Sequence, residues 1–238
     1  MTYNRLLDAL PLRVYERIEP LLMPVSLQQG EILHFPGEVI ENLYFPVDCM
    51  LSITTTMEDG STAETGVIGN REVIGVNAVM GGRETTQTEY VVQVAGEAMK
   101  IPASELRLLF EQDADVRHLF LKYTQALIAQ ISQTTACNRL HSLEQRFARW
   151  LLETQDRLES LEIPLTQQFI AQMLGVRRAG VTQAAQKLED LNIICYGRGR
   201  IQILDKAGLE ATACECFGVV RDEYDRLLGP KYNRQHDR

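Results

Sequence analysis

The chain has 238 residues, enough for two domains that each bury a core, and no apolar run approaches the roughly 18–20 residues that a membrane span needs. Its N-terminus lacks the apolar core of a signal peptide, and its five scattered cysteines fit reduced thiols better than a disulfide framework, so a cytoplasmic protein off the membrane is expected. The formal net charge of −8 excludes a uniformly basic surface.

Leu6 to Leu22 reads as one or two short helices, interrupted at Pro11. From Val25 to about Ile101 the pattern becomes short β-rich runs punctuated by turn residues, as in a small antiparallel barrel or sandwich. Within it, Met50–Thr56 and Ser61–Ile68 flank Glu58-Asp59-Gly60, where Asp-Gly predicts a tight hairpin. The acidic residues of this half are spread along turns and read as a solvated surface. Pro102-Ala103-Ser104 opens a helix with Ser104 as its cap. Asp115 to Asn138 contains neither proline nor glycine, and Val116, Phe120, Tyr123, Leu127 and Ile131 recur at spacings of three or four. That seam predicts a long helix that faces a second copy of the chain. Ser142 with Gln145 has capping-box spacing, and Phe147, Trp150, Leu151 and Leu158 are expected to pack under the next pair of helices.

Leu165 to Thr182 reads as two short helices joined at Gly175, the first capped by Thr166 with Ile170 and Leu174 on one face. The second buries Val181, Ala184, Ala185 and Leu188, and projects Arg177, Arg178, Thr182 and Gln183 from its start. This is the layout of a helix-turn-helix that reads double-stranded DNA. Two β-rich runs, Leu191–Tyr196 and Arg200–Leu204, surround Gly197-Arg198-Gly199 and predict a wing. The charge distribution agrees. Residues 1–115 carry seven basic against eighteen acidic side chains, residues 165–204 five against two. Phosphate contact is assigned to Thr166, Gln167, Arg198 and Arg200, and base readout to Arg177, Arg178, Thr182 and Gln183. A last helix is expected from Lys206 to Leu228, ended by Gly229-Pro230 and succeeded by a polar tail.

In order and in motif, the chain resembles the Crp/Fnr family of bacterial transcription regulators, most closely at Leu165–Val181 and Leu188–Ile203. The resemblance implies an α+β fold: a jelly-roll-like antiparallel β-roll over 1–114, a dimerisation helix over 115–139 and a winged helix-turn-helix over 140–238. It also implies a homodimer on a pseudo-palindromic operator, with RNA polymerase as a further partner. Two departures matter. Many members begin the recognition helix with Ser-Arg-Glu, whereas this chain has Arg177-Arg178-Ala179, so a different operator is expected. Members that bind cyclic nucleotides carry Gly-Glu and a later Arg. Here Gly75 is followed by Val76, and Thr85-Thr86 stands near the arginine position with Arg83 close by. A buried phosphate without a cation is costly, so an effector pocket at Gly75, Val76, Arg83, Thr85 and Thr86 is not expected to hold cyclic AMP.

No cofactor is assigned; an unknown small-molecule effector, or a roll that serves only as a protein-interaction module, remain the two alternatives. His34 and Cys49, the conceivable haem ligands, are read as packed side chains. Cys214 and Cys216 fall on the predicted last helix about 200° apart, so one buried and one exposed thiol are expected and no metal site is assigned. No phosphate loop or nucleophile–base pattern indicates an enzyme.

Overall fold

The computed structural model describes residues 4–81, 85–197 and 199–229; Arg83, Arg198 and the tail 231–238 lie outside them. Two short helices, α1 (Arg5–Asp8) and α2 (Leu12–Ile18), open the chain on either side of Pro11. Asn4 caps α1 by accepting from the Leu6 and Leu7 backbone N–H groups, and its amide donates to the Pro46 and Glu72 carbonyls.

Six antiparallel strands come next: β1 (Met23–Leu27), β2 (Asn42–Pro46), β3 (Met50–Thr56), β4 (Thr62–Ile68), β5 (Glu89–Val94) and β6 (Gly96–Pro102). They form two three-stranded sheets, ordered β1-β6-β2 and β4-β3-β5. Leu27, Leu43, Phe45, Leu51, Ile68, Val92 and Ile101 fill the roll's interior. The β3–β4 hairpin forms where expected, but its turn is the wider Met57–Ser61 loop. Only Gly60 takes positive φ, while Asp59 holds the loop by accepting from the Ser61 N–H and hydroxyl. The surface reading of the acidic residues fails at Glu64 and Glu72, both buried.

Helix α3 (Ala103–Gln112) starts one residue before the expected cap, and Ser104 makes no capping bond. The long helix α4 (Ala114–Leu140) is capped by Asp113. Its apolar seam does not face outward. Val116, Phe120, Tyr123 and Leu127 are buried in the chain's own core, with Ile131 partly buried against it. Phe120 meets Phe45 edge-on, and the Tyr123 hydroxyl donates to the Val73 carbonyl at 2.8 Å. The outward face instead exposes Leu121 and Ile128, seven residues apart.

Helix α5 (Leu143–Leu158) begins with the expected Ser142–Gln145 capping box. Then come β7 (Glu162–Ile163), α6 (Gln167–Met173), α7 (Arg178–Asp190), β8 (Ile194–Gly197) and β9 (Arg200–Ile203). Strands β7, β8 and β9 form one sheet in the order β7-β9-β8. Phe147, Trp150 and Leu151 are fully buried beneath them.

The predicted last helix is two: α8 (Lys206–Thr212) and α9 (Cys216–Leu228). The break at 213–215 bends the chain so that Val220, Tyr224 and Leu227 pack with α4 and the roll. It also overturns the expectation for the thiols, because both Cys214 and Cys216 are buried.

Candidate nucleic-acid interface

Helices α6 and α7 meet through apolar faces, so their polar sides share one surface. Thr166 caps α6, its hydroxyl accepting from the Phe169 N–H. Gly175 adopts φ of +63°, which a side chain would strain, and lets the Gly175 and Val176 N–H groups close the end of α6 on the Gln172 and Ala171 carbonyls. Val181, Ala184, Ala185 and Leu188 are buried in the core that contains Ile170 and Trp150.

The opposite side is open. Arg177, Arg178, Thr182 and Gln183 are all exposed at the start of α7. The N-cap residue Arg177 offers no capping bond, and among the described residues the first-turn N–H groups of α7 stand beside two arginines and present positive potential to an anion. The Thr182 hydroxyl donates to Gln167 Oε1 at 2.7 Å, which ties the start of α6 to α7 and fixes both side chains on one face.

The wing lies against the same face. The Tyr196 hydroxyl accepts from the Gln167 N–H at 3.2 Å, and a Cβ on Gly199 would touch the Thr166 methyl. Tyr196 is a tether that sequence reasoning missed; its only signal was an aromatic residue beside the turn. Arg200 pairs with Glu162 at 2.6 Å, but both are exposed, so the pair is worth little and the guanidinium can exchange onto a phosphate. The structure therefore brings Thr166, Gln167, Arg177, Arg178, Thr182, Gln183 and Arg200 to one surface region.

The reading unit also docks on its own roll. Met173 Sδ lies 3.2 Å from Ser52 Oγ, and a cleft of about 760 Å³ separates residues 60–62 from the α6–α7 turn, with Arg177 on its wall.

Two buried polar groups join the modules. Glu64 on β4 accepts from Trp150 Nε1 at 3.0 Å and from Ser52 and Gln93. Burial pushes its carboxyl up from 4.5 to about 7. Arg157 on α5 pairs with Glu72 at 2.9 Å, and donates to Gln130 and to the Val67 carbonyl. The Tyr224 hydroxyl completes this node by donating to Gln130 Oε1 at 2.7 Å.

Of the expected effector residues, those that the structure describes do not converge as polar groups; Arg83 lies outside the described residues. Gly75 has φ of +84°, and a Cβ there would sit 3.0 Å from Ile40 and 3.2 Å from His34 Nε2. Val76 is buried in the core, Thr86 shares its hydroxyl with Thr88, and Thr85 is exposed beside Val39. His34 packs edge-on to Tyr44 and Tyr90, and burial pulls it down to about 4, so it is a neutral imidazole. Burial pushes the Cys49 thiol up to about 12. Both are packed side chains.

Residues 145–212 match the family model of the Crp-like helix-turn-helix domain, and residues 24–113 match that of the cyclic nucleotide-binding domain. The global nitrogen regulator of Synechocystis sp. is 20% identical over 208 residues, 82% of this chain and 92% of that protein. The solved structure of FixK2 from Bradyrhizobium japonicum aligns with a TM-score of 0.70 at 17% identity, covering 81% of this chain and 98% of that one. A Crp/Fnr-family regulator from Eubacterium rectale aligns at 0.68 and 19% identity, covering 88% and 98%.

Proposed function

The chain belongs to the Crp/Fnr family of transcription regulators, and from that premise we propose that it reads a pseudo-palindromic operator as a homodimer. Regulators of this family bind DNA as dimers. Base edges are read by Arg177, Arg178, Thr182 and Gln183; phosphates are held by Thr166, Gln167, Arg198 and Arg200. The observation that supports this reading is the exposed pair of arginines at the uncapped start of α7. The dimer contact runs along the outward stripe of α4 at Leu121 and Ile128, since the stronger apolar seam is used within the chain.

Selection of bound duplexes from a random pool, with full-length protein and no added ligand, tests the reading. A two-fold consensus with half-sites about one helical turn apart is expected. Binding without any consensus would overturn it for the unliganded state.

Replacing Arg178 with alanine should cost about 1–3 kcal/mol at a single base position and relax specificity there. Affinities against a panel of single-base operator variants check this; an equal loss on every sequence would move Arg178 to the phosphates.

The roll is not built to take cyclic AMP as an effector. The ribose-binding carboxylate of cyclic-nucleotide-binding members is replaced by the buried Val76, and the nearby Arg107 guanidinium is spent on the Ala78 carbonyl, so a phosphate seated there would lack a dedicated cation among the described residues. Titration calorimetry with cyclic AMP should give no binding heat, and saturable binding would refute the assignment. Contact with RNA polymerase remains part of the proposal as a family trait.

A further inference from the structure

The elbow between α4 and α5 holds a cluster that the DNA-reading function does not use. Cys137 lies one turn from the end of α4, and His141 comes directly after that helix. Cys214 and Cys216 sit at the break between α8 and α9. Seventy-seven residues of chain separate Cys137 from Cys214, yet the four ligand atoms all lie within 4.8 Å of one another. All three thiols are buried, and they form a small core of their own.

We propose that Cys137, His141, Cys214 and Cys216 bind one divalent ion of the zinc class. The spacing selects this ligand. Zinc–sulfur bonds of about 2.3 Å and zinc–nitrogen bonds of about 2.0–2.1 Å put tetrahedral neighbours roughly 3.5–3.8 Å apart. Cys137 Sγ and Cys214 Sγ are 3.5 Å apart, and so are Cys216 Sγ and His141 Nδ1. A disulfide would use two of the four groups and leave the other two converging on nothing. Three thiolates and an imidazole are the donors of closed structural zinc sites, where no position stays open for catalysis.

The surroundings complete such a site. With Nδ1 turned inward, His141 Nε2 lies 3.4 Å from Glu215 Oε1, the carboxylate–histidine pairing that orients a metal-bound imidazole. Gln133 Nε2 donates to Cys216 Sγ at 3.1 Å. Three thiolates and a dication leave one net negative charge, and the guanidinium of Arg149 on α5 supplies positive potential at Cys137 and Cys214. The thiols give up their protons to the solvent as the ion enters. The ion would then staple the α8–α9 junction to the elbow from which the helix-turn-helix hangs.

The test uses the full chain, purified under reducing conditions without a metal-affinity tag. Elemental analysis should find about one zinc per chain. After exchange into cobalt(II), thiolate-to-metal charge transfer and strong visible bands of a tetrahedral thiolate site should appear. Cys137→Ser, Cys214→Ser or Cys216→Ser should each remove the charge-transfer intensity in proportion to the lost thiolate and weaken binding. Cys195→Ser, on the exposed wing strand, should change neither readout. Glu215→Gln should loosen the ion by about tenfold while leaving the spectrum tetrahedral. Should a ligand variant fail to fold, alkylation of the wild-type thiols with and without zinc gives the same answer: three of five protected by the ion. A folded chain that takes up neither zinc nor cobalt, or cobalt spectra that survive in the cysteine variants, would overturn the proposal. So would a Cys137–Cys214 disulfide in the reduced preparation.

Discussion

Replacing Arg157 with alanine should cost the fold about 3–5 kcal/mol, because Glu72 would remain buried with no countercharge. Glu72 is 1% exposed, and its other oxygen accepts from the Gly69 N–H at 2.6 Å, so it cannot swing into water without breaking the loop. The Arg157 side chain also fills the space above Gly69, where a Cβ would lie 2.6 Å from it, so truncation opens a cavity as well. Urea unfolding of the wild type and the variant measures the loss. Arg157→Met combined with Glu72→Gln should recover much of it, since it removes both charges and keeps an acceptor for Gly69. A single variant within about 1 kcal/mol of wild type would mean that this ion pair is wet. The consequence reaches beyond stability. Arg157, Gln130, Val67 and Tyr224 belong to α5, α4, the roll and α9, so their loss should loosen the roll from the DNA-reading unit.

Stability should also fall as the pH rises from about 4.5 to about 7, through Glu64. Burial is the main cause of its raised pKa; the neighbouring Glu153 adds to it, while hydrogen bonds from Ser52 and Trp150 and the charge of Arg149 oppose it. Between the ordinary 4.5 and the folded value of about 7, the unfolded chain releases a proton that the folded chain keeps. The favourable contribution is therefore complete below that window and lost above it, by up to about 3 kcal/mol. Among the described residues the buried Gln93 Oε1 has no donor, and a protonated Glu64 can supply one if the amide turns. Glu64→Gln should flatten this part of the profile. Unfolding free energies of both proteins at several pH values across and above that window give the difference; parallel curves would show that Glu64 ionises normally.

The helix-turn-helix was legible because its signals are local. A cap, a glycine in the left-handed region and an apolar stripe all fall within a short stretch of chain, and Thr166, Gly175 and Val181 stand where those rules put them. The seam of α4 was legible as a helix face but not in its direction. Periodicity says that Tyr123 and Leu127 are covered; it does not say whether the roll or a second chain covers them. The break before Cys216 carries no proline or glycine, so nothing local announced it. Without that break the two thiols point apart, and their meeting with Cys137 and His141 is a purely tertiary event. Glu64 and Glu72 look like any other acidic residue in sequence. Partners distant in sequence, the Trp150 indole for Glu64 and the Arg157 guanidinium for Glu72, 86 and 85 residues away, help them tolerate burial.

The return of α9 to the first half of the chain bears on how the protein is made. Synthesis proceeds from the N-terminus, and early domains generally fold as they emerge. Here the roll and α4 leave a seat for Val220, Tyr224 and Leu227, which are translated only after the whole winged helix-turn-helix. Until α9 has left the ribosome, that seat stays exposed, and Gln130 lacks the hydroxyl that completes its bonding. The nascent chain thus waits on α9, and a premature stop codon just after the wing should yield an aggregation-prone polypeptide rather than a free-standing first domain.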